Sequence, residues 1–358
     1  QNSYSESLPD GIYNLQIQVV CEGDTSAWYG FPPAIVHEAR CFDYLDLTDD
    51  RCFYLDDTPS DYHNVDDSLA KVTPHKIDYG YASVASRHTV HYVPDEIDAR
   101  TLNSIDHDGN PVSPLKTIPD GALASVRIGS WEETARVVRV EYDFTIDAKE
   151  ASVLMLQYAM VLQYAKHDEP HQRPRMMIDI VDATTNKSLE PCMVVDLASE
   201  VGGEGWFRVP FESANKVNAR DVCWRDWTTM GLNLAEHHGK HVKAKITVFG
   251  CEMTAHYGYA YFVLTCTSGE IKGMHCGWEP TNEFIAPDGF NYRWYKVAMP
   301  SETLGRERIY HVDYRDTCTY AVDITYKTNA KCGFTLYASA VPRFPIPEAT
   351  YKLEQRDD

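Results

Sequence analysis

From Arg136 to Ile146 the chain reads RVVRVEYDFTI, which places Val138, Val140, Tyr142, Phe144 and Ile146 on one side and Arg139, Glu141, Asp143 and Thr145 on the other. Successive side chains point to opposite faces only in an extended strand, so this segment predicts a β-strand with one apolar and one wet face. The pattern recurs at Met176, Ile178 and Ile180, and again at Val242, Ala244, Ile246 and Val248. Two other runs, Val153 to Tyr164 (VLMLQYAMVLQY) and His256 to Cys266 (HYGYAYFVLTC), are apolar on both faces, as strands covered from both sides would be; periodicity alone leaves a helix open for the first.

Turn chemistry separates these runs, at Pro119-Asp120-Gly121, Gly202-Gly203-Glu204-Gly205 and Pro287-Asp288-Gly289. Short strands punctuated in this way predict an all-β fold of the sandwich or jelly-roll kind. The 23 Tyr, 12 Phe and 7 Trp agree, since aromatic side chains suit half-buried pleated surfaces. A chain of 358 residues exceeds the size at which one core stops growing, so at least two domains are expected. The polar stretch Thr267 to Glu270 breaks the strand pattern. The expected division is a segment 1–40, a jelly-roll-like β-sandwich 41–266, a smaller immunoglobulin-like β-sandwich 267–345 and a tail 346–358, where Pro342, Pro345 and Pro347 stiffen the exit.

The net charge of −20 repels a phosphate backbone and sets nucleic acid aside as a partner. Ten cysteines without a C-x-x-C pair fit a disulfide framework better than a zinc ribbon, and therefore an oxidising, extracellular compartment. The longest apolar run falls short of the roughly 20 residues of a membrane span, so no transmembrane segment is expected. Gln1 reads as a terminus left by signal removal, or as an arbitrary boundary.

Several constellations invite a chemical reading. Asp106, Asp108 and Asn110 alternate around Gly109, and could gather oxygen ligands for calcium or form a plain Asp-Gly turn. Nine aspartates between Asp43 and Asp67 make another oxygen-rich stretch, without the ordered calcium-loop pattern. His167, Asp168, Glu169 and His171 form a polar knot in a loop between two core strands, a place where binding residues gather. His237, His238 and His241 crowd a glycine turn and read as an exposed hairpin loop rather than a metal site. Trp206, Trp224, Trp227, Tyr257, Tyr259 and Tyr261 could stack on sugar rings; core packing is expected for at least four of them, with Trp206, after its glycine-rich loop, the one expected to be exposed. Neither a nucleophile elbow nor a papain-like cysteine context nor a phosphate loop occurs. The chain is therefore not expected to be an enzyme.

The segments DYGYASVASRHTVH (Asp78 to His91), DEIDART (Asp95 to Thr101), IPDGALASVRIGSW (Ile118 to Trp131), RVEYDFTI (Arg139 to Ile146), LQYAMVLQ (Leu156 to Gln163), WRDWTTMGLNL (Trp224 to Leu234) and AHYGYAYFVLTC (Ala255 to Cys266) resemble the repetitive surface proteins of Bacteroidota. APDGFNYRWY (Ala286 to Tyr295) and CGFTLYASAVPRFP (Cys332 to Pro345) extend the resemblance through an immunoglobulin-like unit. Residues 1–40 match nothing in that family, and the sorting domain of type IX secretion substrates does not follow, so the expectation is a fragment of a longer protein or another export route. The resemblance implies an adhesin, filament component or glycan-binding module at the outer surface, whose partners are neighbouring domains, copies of itself or surface glycans. A lectin-like module is the alternative, and a secreted glycan hydrolase the outsider. Tyr13 to Val20 alternates like a strand and is the candidate donor for pairing between subunits. Cys276, Trp294 and Cys318 follow the order of an immunoglobulin core, which suggests a Cys276–Cys318 bridge. Asp316 stands where that pattern has tyrosine, and Cys332 competes as a partner.

Overall fold

The computed structural model describes residues 53–56, 69–71, 77–148, 153–211, 220–267, 270–272, 281–313, 316 and 318–339, together with the backbone pairing of short segments between 11 and 36. The chain is all-β and divides into two compact units, Gln1–Ser268 and Gly269–Asp358.

In the first unit, β1 (Gly11–Tyr13), β2 (Gln16–Ile17) and β3 (Val20–Cys21) run out, and β4 (Asp24–Thr25), β5 (Tyr29–Gly30) and β6 (Ala34–Val36) run back. β1 pairs with β6, β2 with β5 and β3 with β4, all antiparallel, so the six pieces are one long interrupted hairpin. The strand read at Tyr13 to Val20 thus finds its partner in the residues that follow it.

The sandwich is built from β7 (Phe53–Asp56), β8 (Ala70–Lys71), β9 (Asp78–Tyr79), β10 (His88–His91), β11 (Ser125–Ser130), β12 (Val137–Thr145) and β13 (Val153–Gln163). It is completed by β14 (Arg175–Asp182), β15 (Val195–Ala198), β16 (Phe207–Val209), β17 (Val222–Asn233), β18 (His241–Phe249) and β19 (Gly258–Thr267). One sheet has the order β16-β17-β13-β19-β11-β10-β9, and the other β15-β14-β18-β12-β7-β8. The chain crosses between sheets at β11, β12, β13 and β14, and again at β17, β18 and β19, which is the double Greek key of a jelly roll.

Between the sheets lie Val126, Ile128, Tyr142, Phe144, Leu156, Ile178, Ile246 and Phe262, all buried. Tyr142 meets Phe262 edge to face at 6.3 Å. Each such side chain contributes about 1.5–3 kcal/mol by leaving water. The period-two face of β12 is this inner face. Its opposite face is drier than the sequence suggests: Arg139, Glu141 and Thr247 are buried, with Arg139 donating to Thr247 at 2.8 Å and Lys243 pairing Glu141 at 2.8 Å.

The second unit contains β20 (Glu270–Lys272), β21 (Thr281–Ile285), β22 (Phe290–Lys296), β23 (Ile309–Asp313), β24 (Tyr320–Tyr326) and β25 (Gly333–Ser339). The sheet β20-β25-β24-β22 is accompanied by the pair β21-β23, and β20 joins β25 in parallel, an immunoglobulin-like arrangement. Trp294 is fully buried, stacked on Phe284 at 6.0 Å and on Tyr310 at 5.7 Å.

The expected Cys276–Cys318 bridge does not form: Cys318 is a free, exposed thiol in the loop before β24, and Cys332 is disulfide-bonded. Phe284 packs against Trp294 in this core. Tyr320, rather than a residue two before Cys318, ties the corner by donating to Asp316 at 2.7 Å. Cys276, residues 346–358, the prolines from Pro342 onward and most of the stretch from Asp43 to Asp67 lie outside the described residues.

Gly129 in β11 has φ +79°, and a Cβ there would stand 2.6 Å from the Gly258 carbonyl oxygen. Gly129→Ala is expected to destabilise the first unit by about 1–3 kcal/mol, read as a lowered urea midpoint, through backbone strain and that clash.

Candidate functional site

β19 and β13 are apolar on both faces because the outer face of the seven-stranded sheet is also covered. The connection between β10 and β11 folds back as a hairpin, with Asp98 N–H donating to the Leu115 carbonyl at 2.8 Å and Thr117 N–H to that of Glu96 at 2.9 Å. Leu115 drops into a cluster with Ala159, Val161, Trp224, Tyr257, Tyr259 and Tyr261. The sheet's indoles fasten this cover: Trp224 Nε1 donates to Ser104 Oγ at 2.8 Å and Trp227 Nε1 to the Lys116 carbonyl at 2.9 Å.

Asp98, with no solvent exposure, is the polar centre of the interface. Its carboxylate accepts from Tyr259 at 2.8 Å and Tyr261 at 2.9 Å, and caps the short 3-10 turn Ala99–Thr101 through Arg100 N–H at 2.8 Å. Burial, then the Asp98 charge, pushes both phenols well above their ordinary range, so they act as donors and not as bases. Beside them Arg127 Nε donates to Thr89 at 3.0 Å, while among the described residues its Nη1 and Nη2 have no hydrogen-bond partner. The guanidinium instead lies over Trp131, Tyr259 and Tyr81, at 4.7, 5.6 and 5.9 Å from the ring centroids. Three such contacts, each worth about 0.5–2 kcal/mol, offset the roughly 1–3 kcal/mol cost of each of the two unsatisfied buried nitrogens.

His91 Nδ1 contacts Glu96 Oε2 at 2.5 Å, and Thr117 donates to the same oxygen at 2.9 Å. Burial lowers the His91 pKa from 6.5 despite Glu96, so at neutral pH an uncharged imidazole donates from Nδ1. Burial alone would raise the Glu96 carboxyl, but the His91 and Thr117 hydrogen bonds and the Arg127 charge outweigh it and hold it low.

A cleft between the sheet ends, lined by Arg87, Ser130, Glu132, Arg136, Gly250 and Gly258, has a volume of about 10 Å³, room for one water. Its charges are mutually satisfied: Arg87 pairs with Glu132, and Arg136 reaches Glu132 at 2.6 Å.

A different constellation forms at one end of the sandwich. His167 follows β13, and Cys251 and His256 bracket the turn from β18 to β19, which antiparallel pairing brings to the same end. The Nε2 of His167 lies 3.0 Å from Cys251 Sγ, and one ligating atom from each of His167, Cys251 and His256 falls within 4.8 Å of the others. Cys251 is fully buried and free, and the two imidazoles are half-buried. Burial pushes the Cys251 thiol up, while backbone N–H groups of Ala255, Met253 and His256 directed at its sulfur pull it back.

The sequence candidates disperse differently. Of the loop residues His167, Asp168, His171 and Trp206, only His167 joins this cluster; Asp168 is exposed on the same loop and His171 half-buried. Trp206 was expected to be exposed and is buried, with Arg225 over its ring at 5.4 Å. Its glycines are bent inward around it: Gly203 packs against the indole and Gly205 against Arg225. Asp106 spends its carboxylate on its own loop, accepting from Asp108 N–H at 2.9 Å, Asn110 N–H at 2.8 Å and Asn110 Nδ2 at 3.1 Å, so the segment is a closed Asx turn. The three imidazoles of the 237–241 loop part company, His237 meeting Lys240, His238 facing Asp147 and His241 facing Asp143. Asp98, Cys251 and His256 are not legible in the sequence, because no spacing rule joins Cys251 to His167 across 84 positions or Asp98 to Tyr259 and Tyr261 across 161 and 163.

No family model matches the chain, and no curated protein matches it. Among solved structures it is similar to TmCBM61, a carbohydrate-binding module solved with β-1,4-galactotriose, at 10% identity and TM-score 0.23, over 50% of this chain and 88% of that one. It is similar to the glycoside hydrolase domain of Endo-D from Streptococcus pneumoniae R6 at 9% identity and TM-score 0.23, over 70% of this chain but only 37% of that one. It is also similar to the adhesin domain of Epf from Streptococcus pyogenes, at 11% identity and TM-score 0.16, over 74% and 92% of the two chains. Among the described residues no helix is long and apolar enough to cross a membrane.

Because the His91 pKa is lowered on folding, the unfolded chain binds the proton more readily. The His91 contribution to stability is fully present above pH 6.5 and declines as pH falls below it toward the lowered folded value. His91→Gln is expected to flatten the loss of stability measured by urea denaturation below pH 6.5. Tyr259→Phe is expected to cost about 1–3 kcal/mol, with faster proteolysis in the 92–124 cover, since Asp98 loses one of its two phenol donors.

Proposed function

We propose that this protein is an extracellular adhesive or structural surface module that works by contact rather than by catalysis. The observation that carries the reading is a tandem of two β-units, each with oxidised cysteine: Cys192 and Cys266 in the first, Cys332 in the second. The first unit also fills its own outer sheet face with the 92–124 cover, which makes it a stiff body that presents loops and strand edges. Disulfides persist in oxidising surroundings and suit a protein exposed to proteolysis and force. The sequence resemblance to Bacteroidota surface proteins supports the same role, with copies of itself or neighbouring domains as partners. The two-stranded pairing of residues 11–36 is the candidate for strand addition.

A carbohydrate-binding role is the second reading, and one feature favours it. Trp131 is half-buried beside the covered face, with Arg127 4.7 Å and Arg100 5.4 Å from its ring centroid and Tyr81 5.8 Å away, an aromatic and cationic group suited to the edge of a sugar.

Electron microscopy of the native chain, run beside glycan-array binding, separates the two. Filaments or stable multimers that disappear when residues 1–40 are deleted support the assembly reading. Self-association that survives the deletion removes the hairpin from it. Monodisperse particles with selective glycan binding, lost in Trp131→Ala, replace it with the lectin reading.

A further inference from the structure

The cluster at the end of the sandwich is built in a way that its neighbours are not. Two imidazoles and a thiol converge from two loops, and each is held by the backbone. The Arg173 guanidinium donates to the His167 carbonyl at 3.0 and 2.7 Å. Cys251 N–H donates to the His256 carbonyl at 2.9 Å, and Thr254 N–H to that of Cys251 at 3.0 Å, closing a tight turn in which Thr254 takes φ +62°. Glu252 N–H donates to the Gln172 carbonyl at 3.2 Å, which clips this turn to the loop that carries His167. The ties fix the backbone and leave the three ligating atoms facing one another.

From this geometry we infer that His167, Cys251 and His256 form a site for a borderline-soft divalent cation of the zinc type, with three protein ligands and a fourth position open to solvent. Zinc takes thiolate sulfur at about 2.3 Å and imidazole nitrogen at about 2.0–2.1 Å in tetrahedral geometry, which separates neighbouring ligand atoms by roughly 3.3–3.7 Å. The present atoms all lie within 4.8 Å of one another, and His167 Nε2 and Cys251 Sγ, at 3.0 Å, need to part by only a few tenths of an ångström. The donor set selects against calcium and magnesium, which prefer oxygen. Backbone N–H groups from Met253, Ala255 and His256 aimed at the sulfur are an outer shell suited to the thiolate that metal binding creates from the thiol, with release of its proton. Cys251 has also stayed out of the disulfides that engage Cys192, Cys266 and Cys332.

Zinc so placed would join the β13–β14 loop to the β18–β19 turn and present an open coordination position beside the half-buried histidines. The site is independent of the adhesive and lectin readings, since neither assembly nor glycan binding is used in its test.

The experiment is titration of the metal-free 358-residue chain with zinc, and separately with cobalt(II), followed by calorimetry, absorption and thermal unfolding. One equivalent of tight zinc binding, a thiolate-to-cobalt charge-transfer band and a rise in Tm of at least about 3 °C are expected. Cys251→Ser should abolish the band, and His167→Gln and His256→Gln should each weaken binding by more than about 100-fold, beyond the range of outer-shell changes. Cys318→Ser, at the free and exposed thiol of the other unit, should change nothing. X-ray absorption of the zinc-loaded wild type should show one sulfur and two nitrogens in the first shell, a readout that does not depend on any variant folding. Absence of stoichiometric binding by the folded wild type, a first shell without sulfur, or binding that Cys251→Ser leaves intact would falsify the assignment.

Discussion

A single buried carboxylate organises the larger unit. Asp98 has no solvent exposure, yet it accepts from Tyr259, Tyr261 and the backbone of its own turn. A charge in such a place is tolerable only when fully hydrogen-bonded. That demand fixes the 92–124 segment over the outer face of the seven-stranded sheet. With the cover in place, the face that a sandwich ordinarily leaves wet becomes a second apolar layer, and β13 and β19 are buried on both sides. The arrangement leaves the unit with its chemistry at its ends and edges.

The smaller unit solves its packing without an intersheet bridge at the expected place. Phe284, Trp294, Tyr310 and Tyr320 form a closed aromatic cluster, with Trp294 stacked on Phe284 and Tyr310 and with Tyr320 meeting Phe284 edge-on and Tyr310 at a tilt. Aromatic area on this scale can supply the burial that a disulfide-linked core would otherwise need. Cys332 is then spent on a different covalent tie, and Cys318 remains at the surface.

Loop chemistry follows the same division between local and distant partners. The Asp106 loop satisfies itself with its own neighbours, and His237 meets Lys240 three residues on, whereas His238 and His241 reach Asp147 and Asp143 on the far side of a strand pair. His167 instead finds Cys251 across 84 positions, because antiparallel pairing of β13 with β19 brings the two loops to one end of the sandwich.

The sequence by itself determined the strands and the class. Period-two alternation on β12, β14 and β18 is a local property of the extended backbone, and so are the turns that bound them; together they specified an all-β chain of two sandwiches. Tertiary structure decided what covers each face, which explains why Trp206 is buried, why Arg139 and Glu141 leave water, and which cysteine of the second unit is oxidised. It also decided the two constellations that matter most, Asp98 with its tyrosines and His167 with Cys251 and His256. Their members are far apart along the chain, and no periodicity or spacing carries information about groups that meet only when sheets stack and loops converge.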